Sequence, residues 1–208
     1  MTGPVDLRRE LRELYSATRS PVLVDVPDLP FLMVDGHGDP NSAPAYADAV
    51  AALYSVAYTV RFALKRGPAA VDAPVMPLEG LWWTADMATF STDDKSDWDW
   101  TMLILLPEQA TADVVEEARG RAAERKPLDA IGRVRFERWT EGPAAQVLHV
   151  GPYSAEGPTV AALHAFIAEQ GYRLAGKHHE IYLGDLRRAA PEKLRTIVRQ
   201  PVTGPRAG

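Results

Sequence analysis

The sequence predicts an α+β fold in which two repeated βαββ modules share an antiparallel-rich sheet. Two observations support this prediction. Segments with strand and helix periodicity recur in the same order in both halves of the chain, and a glycine turn precedes the long helical segment of each half. Hydrophobic residues make up 46% and charged residues 25% of the 208 residues, which is ordinary for a globular protein with a sizeable core.

The first module is expected within residues 21–127, after an amphipathic helix in residues 1–20. Residues 21–30 are proline-rich and read as an extended connection, although alternating valines at 22, 24 and 26 are also compatible with an edge strand. The remaining elements follow from apolar spacing. They are strands at 31–34, 78–84 and 100–106, a long helix at 44–66 and a trailing helix at 111–126.

The second module is expected within residues 128–202, followed by a loose tail at 203–208. A turn is predicted at 141–143, because the segment reads Glu-Gly-Pro. The other elements again follow from periodicity. They are strands at 134–139, 145–150, 178–183 and 194–199, and a helix at 156–170.

Local matches between the two halves suggest an internal duplication. Residues 34–38 (VDGHG) match 149–153 (HVGPY), and 78–83 (LEGLWW) match 179–183 (HEIYL). Chance is the alternative, because βαββ units are common. A genuine duplication predicts pseudo-two-fold symmetry, helices on one face of the sheet and a central groove for a ligand.

Charge and composition narrow the classes of function. The net charge of −5 disfavours nucleic acid as the main partner, since binding a phosphate backbone needs a surplus of lysine and arginine. The sequence has no cysteine and no apolar run long enough to span a bilayer. We therefore expect a cytoplasmic protein, a monomer or weak homodimer, without membrane association, metal or cofactor.

The strongest chemical signal is the strand at residues 178–183. Alternation places Glu180 and Tyr182 on one face with His178, while Ile181 faces the core. An acid partly buried beside a tyrosine hydroxyl is a candidate site. A solvated glutamate on the outer face is the alternative. A metal site is disfavoured, because His178 and His179 point to opposite faces.

Five further residues are candidates for contacting a ligand. Glu79 and Trp83 share a face of their strand and could form a wall that attracts cations. Tyr153 and His37 lie in the matching glycine turns, where they could border a groove. Trp100 also lies on a strand. The alternatives are core packing for the tryptophans and simple turn positions for Tyr153 and His37.

Four segments together resemble the GyrI-like small-molecule-binding domain, over about residues 20–202. They are 77–83 (PLEGLWW), 149–153 (HVGPY), 176–183 (GKHHEIYL) and 196–202 (TIVRQPV). The resemblance implies a duplicated βαββ fold with a central pocket. In multidrug-binding transcription regulators of this family, an acid within an aromatic cage neutralises lipophilic cations, and Glu180 matches that acid.

The resemblance implies two functions that use one pocket. The first is binding of bulky, apolar and often cationic or aromatic molecules. The alternative is hydrolysis of cyclopropane-containing DNA-alkylating natural products, for which similar stand-alone members imply Glu180, Tyr182 and Trp83. An accessory subunit that presents a ligand is a third possibility. A regulator acting directly on DNA is not expected, because only about 30 residues precede the first strand.

Overall fold

The computed structural model describes residues 5–68, 70–87, 94–184 and 189–204. Parts of the predicted N-terminal segment and tail, residues 1–4 and 205–208, lie outside this description. Among the described residues, helices are interspersed with strands along the chain. The helices are α1 (Leu7–Glu10), α2 (Arg12–Tyr15), α3 (Pro44–Arg66), α4 (Ala112–Arg125) and α5 (Gly157–Glu169). The strands are β1 (Val22–His37), β2 (Leu78–Trp83), β3 (Asp99–Leu105), β4 (Arg135–Val150), β5 (Arg173–Leu174), β6 (His178–Tyr182) and β7 (Arg195–Thr203).

The predicted α+β class and its antiparallel strand pairing are confirmed. Two local predictions are wrong. The N-terminal helix is two short turns, because Leu11 between them has φ −104° and ψ 38°, outside the helical range. The predicted turn at 141–143 is instead part of the continuous strand β4, where Gly142 adopts φ +75°. Glycine tolerates that left-handed conformation within a strand.

The chain forms two compact units. Unit 1 comprises Met1–Glu10, Leu29–Met76 and Trp82–Trp139, and unit 2 comprises Leu11–Asp28, Pro77–Leu81 and Thr140–Gly208. Strands β1, β2 and β4 each contribute one end to either unit, so the units do not coincide with the two halves of the sequence. The duplicated modules at 21–127 and 128–202, with their symmetry and central groove, stay a prediction.

Unit 1 contains β3, α3 and α4. The second half of β1 pairs antiparallel with β3, from Phe31 opposite Leu105 to His37 opposite Asp99. Trp100 on β3 lies over Gly36, where an added Cβ would come within 2.0 Å of the indole ring. Only glycine therefore leaves room for this tryptophan.

Helix α3 has the length and composition of a membrane-spanning helix, but it carries a core face in unit 1. Leu53, Val56 and Val60 are completely buried, while Tyr58 and Phe62 are exposed. The helix begins with Pro44 and ends before Gly67, whose backbone N–H donates to the carbonyl of Ala63. Both ends follow the usual preference for proline at the start and glycine after the end of a helix. A core face of this kind is typical of the main helix of a globular unit.

Unit 2 is organised around β7. This strand pairs antiparallel with β4, β5 and β6, and β6 in turn neighbours β2. Helix α5 covers one face of the sheet, where Leu163 and Ile167 join a buried cluster with Val147 and Val198. The sheet therefore has one face under α5 and an opposite face that is free to carry other groups.

Candidate functional site

Two polar clusters of unit 2 lie on opposite faces of the sheet formed by β6, β7 and β4. Residues directly opposite each other in paired strands share a face. Glu180 lies opposite Val198, so it is on the face that α5 covers. His179 lies opposite Arg199, on the other face. The alternation predicted for β6 is confirmed.

The Glu180 cluster consists of His178, Glu180, Tyr182 and Tyr153. The Tyr182 hydroxyl donates to Oε2 of Glu180 at 2.7 Å, and Nε2 of His178 lies 3.2 Å from Oε1. Glu180 is 9% exposed, and the Tyr153 ring meets the Tyr182 ring edge-on at 5.6 Å. Both carboxylate oxygens are thus oriented, with aromatic rings on one side.

The hydrogen bonds to Glu180 offset the energetic cost of burying its carboxylate. A carboxylate removed from water is costly unless hydrogen bonds satisfy it. Tyr182 and His178 supply such partners from the same strand, because residues two apart in a strand point the same way. An oriented and largely desolvated carboxylate of this kind can accept a proton or neutralise a bound cation.

Helix α5 adds a residue that the sequence reasoning missed. Burial lowers the pKa of His164, and the nearby His178 lowers it further, so the imidazole is neutral near pH 7. Within the described part of the chain, Nε2 of His164 is buried without a hydrogen-bond partner. Its spacing of four residues from Val160 and three from Ile167, which places it beside the apolar stripe of the helix, was the available signal.

A second buried polar group lies beside the cluster. Thr196 is opposite Tyr182 in the ladder and is 1% exposed. Its hydroxyl has no hydrogen-bond partner among residues 5–68, 70–87, 94–184 and 189–204. Together with His164, it gives this face polar atoms that a bound molecule could engage.

The His179 network occupies the opposite face. Its members are Tyr15, Glu79, Glu141, His179 and Arg199, joined by short contacts. The Tyr15 hydroxyl donates to Glu79 at 2.6 Å. The two ring nitrogens of His179 lie 3.0 Å from Glu79 and 2.9 Å from Glu141. Arg199 donates to the second oxygen of Glu141 at 3.1 Å.

The balance of opposite charges explains why the charged groups of this network stay ionised when they are buried. Burial alone would lower the pKa of His179, but the charge and hydrogen bond of Glu141, with the hydrogen bond of Glu79, raise it to about 9. Burial opposes ionisation of Glu141 as well, yet His179 and Arg199 bring its pKa below the ordinary value. Two cations therefore face two carboxylates. Burial and the Glu79 charge raise the pKa of Tyr15, which stays a neutral donor.

Arg199 also joins the network to the backbone of α2. It donates to the Leu14 carbonyl at 2.6 Å and to Oε1 of Gln146 at 2.9 Å. Gln146 in turn donates to the Glu13 carbonyl at 2.7 Å. The network thus fixes the N-terminal part of unit 2 against its sheet.

The structure brings together only some of the predicted site residues. Glu180, Tyr182 and Tyr153 all belong to the Glu180 cluster. Glu79 is completely buried. One of its carboxylate oxygens contacts Tyr15 and the other contacts His179, so the structure does not support its predicted place on a ligand wall.

The other three predicted residues belong to unit 1. Trp100 is completely buried, and its indole N–H donates to the Gly38 carbonyl at 3.2 Å. His37 is exposed and lies 2.9 Å from Asp99. Trp83 is half-buried at the end of β2. Across the described ranges, no group of three or more His, Asp or Glu side chains is arranged to hold a metal ion.

Comparisons with known proteins agree with this architecture. A protein from Listeria innocua described as an uncharacterized conserved protein is 41% identical, with a TM-score of 0.89. The match covers 96% of this chain and all of that one. A hydrolase from Listeria innocua is 40% identical with a TM-score of 0.87, over 97% of this chain and all of its own.

A more distant likeness shows the fold alone. The C-terminal domain of EcmrR is 13% identical with a TM-score of 0.56, over 88% of this chain and 97% of that one. No curated protein matches the sequence. The profile of the GyrI-like small molecule binding domain matches residues 19–203. The chain therefore belongs to the family of GyrI-like small-molecule-binding domains.

Proposed function

We propose that this domain hydrolyses an electrophilic, largely apolar small molecule, with Glu180 as the base that activates water. The observation that carries the proposal is the buried carboxylate held between Tyr182 and His178. Two Listeria innocua proteins named as hydrolases, 40% and 39% identical over their whole length, support this class of reaction.

The expected substrate is a cyclopropane-containing DNA-alkylating natural product. The water oxygen attacks a carbon of the strained ring while its proton passes to Glu180. The electron pair of the broken carbon–carbon bond moves onto the rest of the substrate, which takes up a proton from solvent. Glu180 then releases its proton to solvent. The net reaction adds one water across the broken bond.

The neighbouring groups have distinct roles in this scheme. Tyr182 and His178 hold the carboxylate in one orientation. A preoriented charge interacts more strongly with the reacting atoms in a water-poor site than in bulk solvent. The edge-on rings of Tyr153 and Tyr182 offer apolar surface to the substrate. His164 carries a neutral imidazole beside His178.

Binding without turnover is a second candidate function. A buried carboxylate next to aromatic rings attracts a bulky apolar cation by charge and by cation–π interaction. The predicted ligand contacts of Trp83, Glu79, His37 and Trp100 remain sequence predictions. So do the cytoplasmic location, the lack of a cofactor or nucleic-acid partner, and a monomeric or weakly dimeric state.

Glu180→Gln separates the two candidates, because it removes the base and the charge but keeps the shape. For a hydrolase, we expect mass spectrometry to show turnover of a cyclopropane alkylator falling at least about 100-fold, with binding nearly retained. For a binder, the wild type consumes nothing and the variant loses affinity for a rhodamine-like dye. Glu169→Gln, at the exposed end of α5, is the matched control. Turnover and dye affinity both unchanged in Glu180→Gln would contradict both functions.

A further inference from the structure

Unit 1 contains a groove that neither function uses. It lies between the second half of α3 and the length of α4, with a volume of about 500 Å³. The groove residues recur every three or four positions on each helix, so they form two facing stripes. We call this the α3–α4 groove. Its helical residues include Thr59, Phe62, Ala63 and Arg66 on α3, and Val114, Glu117, Arg121 and Arg125 on α4.

The floor of the groove is apolar and open to solvent. Phe62 is 45% exposed, although removing its phenyl ring from water would be favourable. Ala63, Pro68 and Val114 line the same space. A volume of about 500 Å³ lies within the range of sites for small organic ligands. The groove therefore offers an apolar surface to a molecule of that size.

The charges around the groove are positive, in contrast to the whole chain. Three arginines and one glutamate line it, whereas the protein carries a net charge of −5. Arg121 is paired with Glu117 one turn away. Arg66 lies 5.8 Å from the centre of the Phe62 ring. Within the described residues, Arg66 and Arg125 have no carboxylate partner, so both guanidinium groups are available to an anion.

Interaction with the helix dipoles does not by itself explain why the groove combines arginines with an exposed apolar floor. Arg66 and Arg125 are in the last turns of α3 and α4, where cations complement the helix dipole. That effect requires neither an exposed Phe62 nor a third arginine beside it. The combination of an apolar floor and two available guanidinium groups matches an amphiphilic anion.

We infer that the α3–α4 groove binds a small organic anion, with an aromatic body on Phe62 and a carboxylate, sulfonate or phosphate on Arg66 and Arg125. This site is separate from the Glu180 cluster and has the opposite charge preference. The inference does not depend on the function proposed for Glu180.

Titration with anilinonaphthalene sulfonate, a fluorescent aromatic anion, tests this inference. We expect the double variant Arg66→Gln with Arg125→Gln to weaken binding at least about fivefold. Phe62→Ser should weaken it as well. Arg19→Gln, at an exposed arginine of unit 2, is the matched control and should bind like the wild type. Thermal unfolding of each variant confirms that it folds, and Arg125→Glu supplies a stronger perturbation at one position.

Two further results separate this groove from other sites. Binding should weaken as salt rises, because the pairing is exposed. Glu180→Gln should leave the affinity unchanged. The inference is overturned if the double variant and Arg125→Glu bind the probe as the wild type does. It is also overturned if Glu180→Gln abolishes binding, since the probe would then occupy the Glu180 cluster.

Discussion

Raising the pH from 6 to 9 removes most of the stabilisation that protonated His179 contributes at the centre of the His179 network. Glu141 and Glu79 outweigh the effect of burial and raise the pKa of this imidazole to about 9 in the folded chain. The ordinary value, which applies to the unfolded chain, is 6.5. A folded pKa above the unfolded one stabilises the fold fully below pH 6.5. That contribution disappears as the pH rises through 9.

The size of this stabilisation follows from the difference between the folded and unfolded pKa values of His179. At 1.36 kcal/mol per pKa unit, a rise from 6.5 to about 9 corresponds to about 3 kcal/mol of unfolding free energy. Most of this should be lost between pH 6 and pH 9. The measurement should stop below pH 10, where Tyr15 begins to ionise in the unfolded chain but not in its buried position.

Denaturant unfolding followed by far-ultraviolet circular dichroism measures this loss. Tryptophan fluorescence is unsuitable, because all five tryptophans belong to unit 1 and the network belongs to unit 2. We expect the wild type to lose about 3 kcal/mol more than His179→Gln over this pH range. His37→Gln, at an exposed histidine, should behave like the wild type. Equal pH dependence in the wild type and His179→Gln would show that protonated His179 does not stabilise the fold.

Other predictions concern packing and single hydrogen bonds. Gly36→Ala should destabilise the chain by about 1–3 kcal/mol in thermal or denaturant unfolding, because the new Cβ would collide with the Trp100 ring. Gly120→Ala is the control; nothing lies within 4 Å of its Cβ, and the helical position predicts stabilisation by about 0.5–1 kcal/mol. A destabilised Gly120→Ala would contradict this. Tyr15→Phe should cost about 1–3 kcal/mol, because it leaves a buried Glu79 oxygen without its donor, and an unchanged stability would argue against that hydrogen bond.

Strand alternation was sufficient to predict part of the candidate site. In residues 178–182 it separates His178, Glu180 and Tyr182 from His179, and the hydrogen bonds follow that separation. This information is local, because the period of two is a property of any strand. The sequence therefore predicted the grouping of the acid with the tyrosine.

Long-range partners could not be predicted in this way. Glu79 and Glu141 lie 100 and 38 residues from His179, and their meeting depends on strand register that no local pattern encodes. The expectation that Glu79 contacts a ligand rests on the strand face that it shares with Trp83. Nothing near Glu79 in the sequence indicates that Tyr15 and His179 contact it.

The fold shows the same distinction between local and distant information. Long periodic segments such as α3 and α4 were predicted closely, because apolar spacing determines them. The break at Leu11 and the continuity of β4 through Gly142 were not. Each of these two features depends on the backbone conformation of one residue, and tertiary contacts determine that conformation.

A crystal structure of Glu180→Gln with an unreacted cyclopropane alkylator tests whether Glu180 is positioned to activate water against the substrate. We expect the reactive carbon of the alkylator to lie beside residue 180, with aromatic surface on Tyr153 and Tyr182. We also expect room for one water between that carbon and the side chain. A molecule bound elsewhere, with the contacts of residue 180 to His178 and Tyr182 undisturbed, would show that Glu180 is not the base.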